Sequence, residues 1–304
     1  MRALALSTMY AQQERFADGA AFARYAAEAG YDAIEVSHST PAEKLSAIQR
    51  SGALPITAIH QPAPHVIVED GGSNAELNLA ATQAGERLVA LEHALTSVEW
   101  AAKVGAHSLV VHLGSVEPYW AEGEAELYRL YEAGAVGGPR AGEVRAEMES
   151  RRTAAAPAAL AAARSSLETL VAAARERGIA IGLENRLHFH EIPHPAETLA
   201  LVDGFALDEV GHWHDTGHAE VLERLGFMPH RTWFDSLGES LLGAHVHDVR
   251  GVLDHRAPGT AELDWAMVAG GLGALDGYTL EINQHEPDEA VRGARAFLEA
   301  AGLG

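Results

Sequence analysis

The stretch EVGHWHDTGHA, residues 209–219, decides how the rest of the chain is read. Its first seven residues form a short run of apolar and aromatic character, of the kind that makes a strand, and the run stops at Asp215. The next four residues, TGHA, have the composition of a turn opening a helix. A strand that ends in a carboxylate and passes at once into a helix is the unit of a parallel α/β protein, where strand carboxyl ends carry the site. Side chains alternate between the two faces of a strand. With Asp215 turned into a barrel mouth, Trp213 shares its side, and His212 and His214 face the helices as packing or supporting residues. His218 lies three residues past the strand, placed to swing back over the mouth.

The same unit recurs from one end of the chain to the other. Short apolar runs stand at ALALS (3–7), AIEVS (33–37), ITAIH (56–60), SLVVH (108–112), AIGLEN (180–185), EVGHWHD (209–215), GAHVHD (243–248) and YTLEI (278–282). Segments with helical spacing separate them, for example DGAAFARYAAEAG (18–30) and residues 77–105. Eight alternations of strand and helix predict a parallel (β/α)8 TIM barrel spanning residues 1–304 as a single domain. Gly30, Gly52, Gly105 and Gly178 follow helical segments, where a left-handed C-cap favours glycine. An open doubly wound sheet would need a glycine-rich phosphate turn after the first strand, and none is present.

Six of the eight runs end in, or are followed at once by, a metal-competent side chain: His60, His112, Glu184, Asp215, the His245/His247 pair and Glu281. A barrel gathers all strand carboxyl ends on one face, so these residues are expected to meet. Parity places His245 and His247 on one side of their strand and does not choose between them: one is expected to bind metal and the other to touch substrate. Of the two, His245 is taken as the ligand and His247 as the substrate contact. Asp248 falls on the opposite side and is expected to orient an imidazole. Arg186 shares the side of Glu184, within reach of a substrate phosphate or hydroxyl.

Composition narrows the chemistry. With no cysteine among 304 residues, disulfides and thiolate chemistry are excluded, and any metal must be held by His, Asp and Glu. No apolar run approaches a membrane span, and the opening MRALALSTMY reads as a first strand, so a cytoplasmic protein is expected. The formal charge of −21 disfavours nucleic acid as a partner without excluding it.

These residues carry a resemblance. The chain resembles the xylose isomerase-like barrel superfamily, which holds sugar isomerases and epimerases and the endonuclease IV group of DNA-repair enzymes. The carriers are the His60-Gln-Pro turn, VVHLGS with His112, GLENR with Glu184, DTGHA with Asp215 and His218, HVHD with His245, DHRAPG with Asp254 and His255, and LEI with Glu281. The epimerase branch implies one Mn²⁺-like ion on Glu184, Asp215, Glu281 and a member of the His245/His247 pair, with Glu184 and Glu281 moving a proton at carbon. The endonuclease IV branch implies up to three zinc ions, with His60, His112, His218, His255 and Asp254 as additional ligands. Asp254 directly precedes His255, whereas the family pattern sets the acid two residues before the histidine.

Two enzyme classes therefore stand as expectations: a divalent-metal isomerase or epimerase of a small sugar or related polyol or keto compound, and a zinc phosphodiesterase acting at abasic DNA. The acidic surface and only two lysines, Lys44 and Lys103, favour the first. A barrel that merely binds a ligand is a third reading. A homo-oligomer is in keeping with the resemblance. Residues 115–157 make an unusually long connection after the fourth strand. They are expected to form a lid with a short helix (EAELYRLYEAG), a flexible GGPRAG break and an aromatic underside of Tyr119, Trp120, Tyr128 and Tyr131 that stacks on substrate. A further helix is expected over 153–166, with Pro157 near its first turn.

Overall fold

The computed structural model describes residues 2–69 and 71–304. The strands, in chain order, are β1 (Ala3–Ser7), β2 (Ala33–Val36), β3 (Ile56–His60), β4 (Ser108–Val111), β5 (Ala180–Glu184), β6 (Val210–Asp215), β7 (Leu241–Val246), β8 (Asp248–Arg250), β9 (Leu253–Arg256) and β10 (Gly277–Leu280). Eight of them close into a parallel barrel in the order β1-β10-β7-β6-β5-β4-β3-β2. These are the eight runs expected from the sequence, with ends that agree within two residues. The hairpin of β8 and β9, antiparallel and outside the barrel, was not expected.

Helices α1 (Gly19–Glu28), α2 (Ala42–Ser51), α3 (Ala84–Val104), α4 (Ala121–Glu132), α5 (Pro139–Arg175), α6 (Pro195–Val202), α7 (Thr216–Arg224), α8 (Arg231–Leu237), α9 (Trp265–Gly271) and α10 (Asp288–Leu298) surround the strands. The four glycines expected to end helices all adopt positive φ, between 61° and 87°. Among the described residues, no helix is long and apolar enough to cross a membrane.

Parity holds inside the barrel. Trp213 lies within it and packs with Ala58 and Val110. A Cβ on Gly182 or Gly243 would stand 2.7 or 2.2 Å from the indole, so only glycine there leaves room for the ring. Toward the amino ends of the strands a cavity of about 360 Å³ is lined by Ala3, Ala5, Ala33, Ala58 and Ser108. Small residues take the place of the branched side chains that usually fill a barrel of this kind.

The insertion differs from its expectation in two ways. The glycine-rich break is a short turn ending at Pro139, which occupies the first turn of α5. From there α5 runs 37 residues without interruption, and Pro157 lies in its interior. Proline cannot donate to the carbonyl of Thr153. Thr153 and Pro157 are both exposed, so water can take that carbonyl, while the opposite stripe (Met148, Arg152, Ala156, Ala159, Ala163) stays buried. Leu127 of α4 and Val144 and Met148 of α5 join Phe189, Val221, Leu222, Trp233 and Val249 in a second apolar cluster. That cluster fastens the insertion beside the carboxyl ends of β5 to β7.

Candidate functional site

The expected residues converge at the barrel mouth. His245 of β7 is wholly buried and directs Nδ1 at three carboxylates: Glu184 Oε1 at 2.9 Å, Glu281 Oε2 at 3.1 Å and Asp215 Oδ2 at 3.7 Å. Each side chain arrives from a strand end because parity turns it inward. His60 Nε2 and His112 Nε2 lie 2.6 Å apart, and they meet Glu184 Oε2 at 3.1 and 2.6 Å. A third group stands beside α7, where Asp254 Oδ2 is 3.7 Å from His218 Nε2 and 3.5 Å from His255 Nε2. Three sets of donors, Glu184/Asp215/His245/Glu281, His60/His112/Glu184 and His218/Asp254/His255, each lie within 4.8 Å of one another and could hold a metal ion. The adjacency of Asp254 and His255 does not separate them from His218.

Supporting hydrogen bonds fix these groups. Asp215 caps α7 by accepting the His218 amide at 2.7 Å. Asn185 clasps the Asp215 backbone, accepting its N–H at 2.7 Å and donating to its carbonyl at 2.9 Å. His218 Nδ1 donates to the Asn185 carbonyl at 2.9 Å, which leaves the Nε2 lone pair on the side of Asp254. His255 adopts a left-handed backbone, φ 53°, and its Nδ1 bonds to the Glu281 carbonyl at 3.0 Å. His247 bonds to both Asp215 oxygens at 3.0 and 2.9 Å and accepts the His255 amide on Nδ1 at 2.9 Å.

The electrostatics follow from burial and charge together. Burial alone would raise Glu184, but His245, His112 and His60 reverse it and hold the carboxylate well below its ordinary range. Glu281 is held down against burial by His245 and His60, and Asp215 by His218 and His247. His245 is raised well above its usual value, burial being outweighed by Glu281, Glu35 and Glu184. His112 goes the other way, because burial and Arg186 both disfavour its cation.

Other expected residues sit at varying distances from this centre. Arg186 pairs with Glu191 at 2.8 Å, stands 3.5 Å from Glu184 Oε2 and touches His112. Trp120 is not brought to the cluster: its ring packs over Gly123, with the Arg151 guanidinium 4.6 Å from its centroid. Tyr119 stacks on His190 at 3.7 Å and bonds to Glu124. His212 and His214 face the helices, as parity requires. They form a buried chain from the Leu183 carbonyl through His212, His214 and His230 to Glu220, with links of 3.2, 3.3, 3.0 and 3.2 Å. Asp248 orients no imidazole through its carboxylate. It accepts the amides of Gly259, Ala261 and Leu263 and so shapes the loop after β9.

Two residues of the centre were missed. Glu35 of β2 is fully buried, accepts from His245 Nε2 at 2.8 Å and takes the Thr279 hydroxyl on its other oxygen at 2.8 Å. The signal was present in AIEVS, where a carboxylate interrupts an apolar strand, but it lies short of the strand end. His38, just past β2, has its ring centroid 5.1 Å from that of His60 and 5.6 Å from that of His112. Its Nδ1 is buried without a protein partner, and burial, reinforced by His60, pushes the imidazole down to about 3.

A model of the family described as xylose isomerase-like TIM barrel matches residues 23–301. Solved structures of similar fold include a D-tagatose 3-epimerase-like protein, with 19% identity over 99% of this chain and 97% of that one, TM-score 0.66. Another is the apo form of 3-keto-D-glucoside 4-epimerase from E. coli, with 18% identity over 99% and 100%, TM-score 0.66. A third is D-psicose 3-epimerase with D-tagatose from Clostridium cellulolyticum H10, with 14% identity over 100% of each chain, TM-score 0.66. At these identities the likeness establishes the fold alone. No curated protein matches the sequence.

Proposed function

This chain belongs to the xylose isomerase-like TIM barrel family, and we propose that it is a divalent-metal-dependent isomerase or epimerase of a small sugar or related polyol or keto compound. The observation that carries this reading is the buried meeting of Glu184, Asp215, His245 and Glu281 within 4.8 Å. Carboxylate oxygens with one imidazole nitrogen suit Mn²⁺ or Zn²⁺. When bound, such an ion polarises a carbonyl or hydroxyl and makes the neighbouring C–H more acidic. Glu184 and Glu281 come from β5 and β10, three places apart around the eight-strand ring. They can therefore approach a substrate carbon from different sides, one removing a proton and the other returning it. Both are held ionised, as a base must be. Arg186 is placed to bond a substrate oxygen, with Glu191 holding its guanidinium. The insertion, 115–157, packed against residues that follow β5 to β7, is on this reading the cap that closes over substrate. Sugar epimerases among the proteins of similar fold support the same substrate class.

Proton exchange tests the reading directly. With D-fructose or D-tagatose in D₂O, the Mn²⁺-loaded protein should incorporate deuterium at the carbon beside the carbonyl and form the epimer or isomer. Glu184→Gln and Glu281→Gln should each lower the rate by at least about 100-fold. Neither exchange nor a new sugar across a ketose and aldose panel would remove the proposal.

One observation favours a second reading, a zinc phosphodiesterase: His60/His112/Glu184 and His218/Asp254/His255 supply ligands that a one-ion epimerase does not need. The arginines oppose it. Arg140, Arg151, Arg152 and Arg256 are paired with Glu126, Glu147, Glu197 and Glu286, and Arg250 donates to the Thr260 carbonyl. None of these five presents a guanidinium without a protein partner to a phosphate backbone. Metal per chain, measured by plasma mass spectrometry after purification without chelator or metal-affinity tag, separates the two. One ion supports the epimerase, whereas two to three zinc ions with cleavage of an abasic duplex would replace it.

A further inference from the structure

Resting on the metal-site reading above, we propose that His247 is a positioning residue for Asp215, locked in one ring tautomer, and is neither a metal ligand nor a substrate contact. The His255 backbone amide points at His247 Nδ1 from 2.9 Å. A backbone amide only donates, and at 2.9 Å it outweighs the Asp248 carbonyl, 3.5 Å from the same nitrogen, so Nδ1 carries a lone pair and the ring proton resides on Nε2. Nε2–H then donates to Asp215, 3.0 Å from Oδ1 and 2.9 Å from Oδ2. A metal takes an imidazole nitrogen through its lone pair. Nδ1 has spent its own on the His255 amide and Nε2 has none. Asp215, His247 and His255 do lie within 4.8 Å of one another, but proximity supplies no donor atom here.

Three local features serve this ring. The Thr216 hydroxyl accepts the His247 amide at 3.1 Å and donates to its carbonyl at 2.9 Å, holding the backbone from both sides. Any Cβ at residue 217 would stand 2.1 Å from His247 Cε1, so Gly217 lets the imidazole lie against the first turn of α7. The left-handed backbone at His255, φ 53°, is rare for a residue with a side chain, and it presents the amide that fixes the tautomer. The result is an oriented carboxylate. Asp215 Oδ1 accepts the His218 amide and shares the His247 N–H with Oδ2, and Oδ2 is the oxygen facing His245 Nδ1, at 3.7 Å.

Long-range ¹H–¹⁵N NMR of the full-length protein with ¹⁵N-labelled histidine tests this, using zinc alone as the probe and His247→Gln to assign the signals. The expected spectrum shows His247 protonated on Nε2 only, unmoved by Zn²⁺, while His245 Nδ1 shifts. Chelator competition should show His247→Ala binding zinc about 10- to 100-fold more weakly. His247→Gln, whose amide still donates to Asp215, should recover most of that loss with the same number of ions per chain. A proton on Nδ1, a zinc-induced shift of either His247 nitrogen, or one fewer ion in His247→Gln would overturn the proposal. If the wild type takes up no zinc, the metal-site reading fails, and the tautomer in the metal-free spectrum still decides for or against the lock.

Discussion

At the scale of single residues, this site is built from carboxylates that need an imidazole and imidazoles that need a carboxylate. Glu35 shows the consequence. One of its oxygens accepts from His245 Nε2 and the other from Thr279, which directs His245 Nδ1 toward Glu184 and Glu281. A carboxylate behind a ligating histidine fixes the tautomer and makes the nitrogen a better donor. Glu35→Gln keeps the size and removes the charge, so metal affinity should fall about 10-fold in a chelator competition while the circular dichroism spectrum is unchanged. Equal affinity in the variant would mean that Glu35 only fills space. Much of this centre was legible because strand ends are easy to find and parity is strict: His60, His112, Glu184, Asp215, His245 and Glu281 all lie where the pattern put them. Glu35 and His38 were not, since one precedes its strand end and the other follows it by two residues. The jobs of His247 and Asp248 were hidden for another reason. Each depends on amides from residues 255–263, whose path no periodicity announces.

At the scale of elements, the barrel strands were readable and the insertion was misread at its proline. Local propensity starts a helix with Pro157 in its first turn, but the buried stripes on either side of it carry α5 through. Proline inside a helix costs about 3 kcal/mol relative to alanine, offset in part by its stiffer unfolded chain. Pro157→Ala, at an exposed position, should therefore raise stability by about 1–3 kcal/mol in urea unfolding. A loss would show that the proline shapes a needed bend. The strand-to-helix layer makes a second prediction. Burial pushes His212 down to about 4 against the pull of the Leu183 carbonyl and Glu184. His194, which caps α6, is pushed down to about 4 by burial and Arg152. In the unfolded chain both titrate near about 6.5. Between about pH 6.5 and pH 4 the unfolded state binds more protons than the folded one, so stability rises with pH through that window and is fully present above it. The share of the urea midpoint that these two histidines control should be fully present above about pH 7 and should be lost steadily below about pH 6.5. His212 alone contributes on the order of 3 kcal/mol. His194→Asn keeps a capping acceptor and removes its share of the slope.

At the scale of the whole molecule, a net charge of −21 is spread over the chain, and four of its carboxylates are buried together at the barrel mouth. Glu35, Glu184, Asp215 and Glu281 are all essentially inaccessible to solvent there, and imidazole N–H groups are their main partners. Burying that many carboxylates is costly unless each is paired. His245, which these carboxylates favour in its cationic form, then carries a proton on Nδ1, the nitrogen that a metal would use. A divalent ion bound by the folded mouth replaces that proton and has no preformed site in the unfolded chain, so loading adds directly to folding stability. At a free ion concentration about 100 times the dissociation constant, the gain is about 2.7 kcal/mol. Scanning calorimetry at about pH 7.5 should therefore show the unfolding midpoint rising several degrees when Mn²⁺ or Zn²⁺ is added to chelator-stripped protein. The gain should grow with pH as the displaced proton becomes easier to remove, and it should be largely absent in Glu184→Gln. Mg²⁺, which prefers oxygen ligands in near-ideal octahedral geometry, should give a smaller rise from this nitrogen-containing set. A midpoint indifferent to every divalent ion would mean that imidazolium–carboxylate pairing is the finished state of the mouth, and metal-dependent chemistry would have to be abandoned for this barrel.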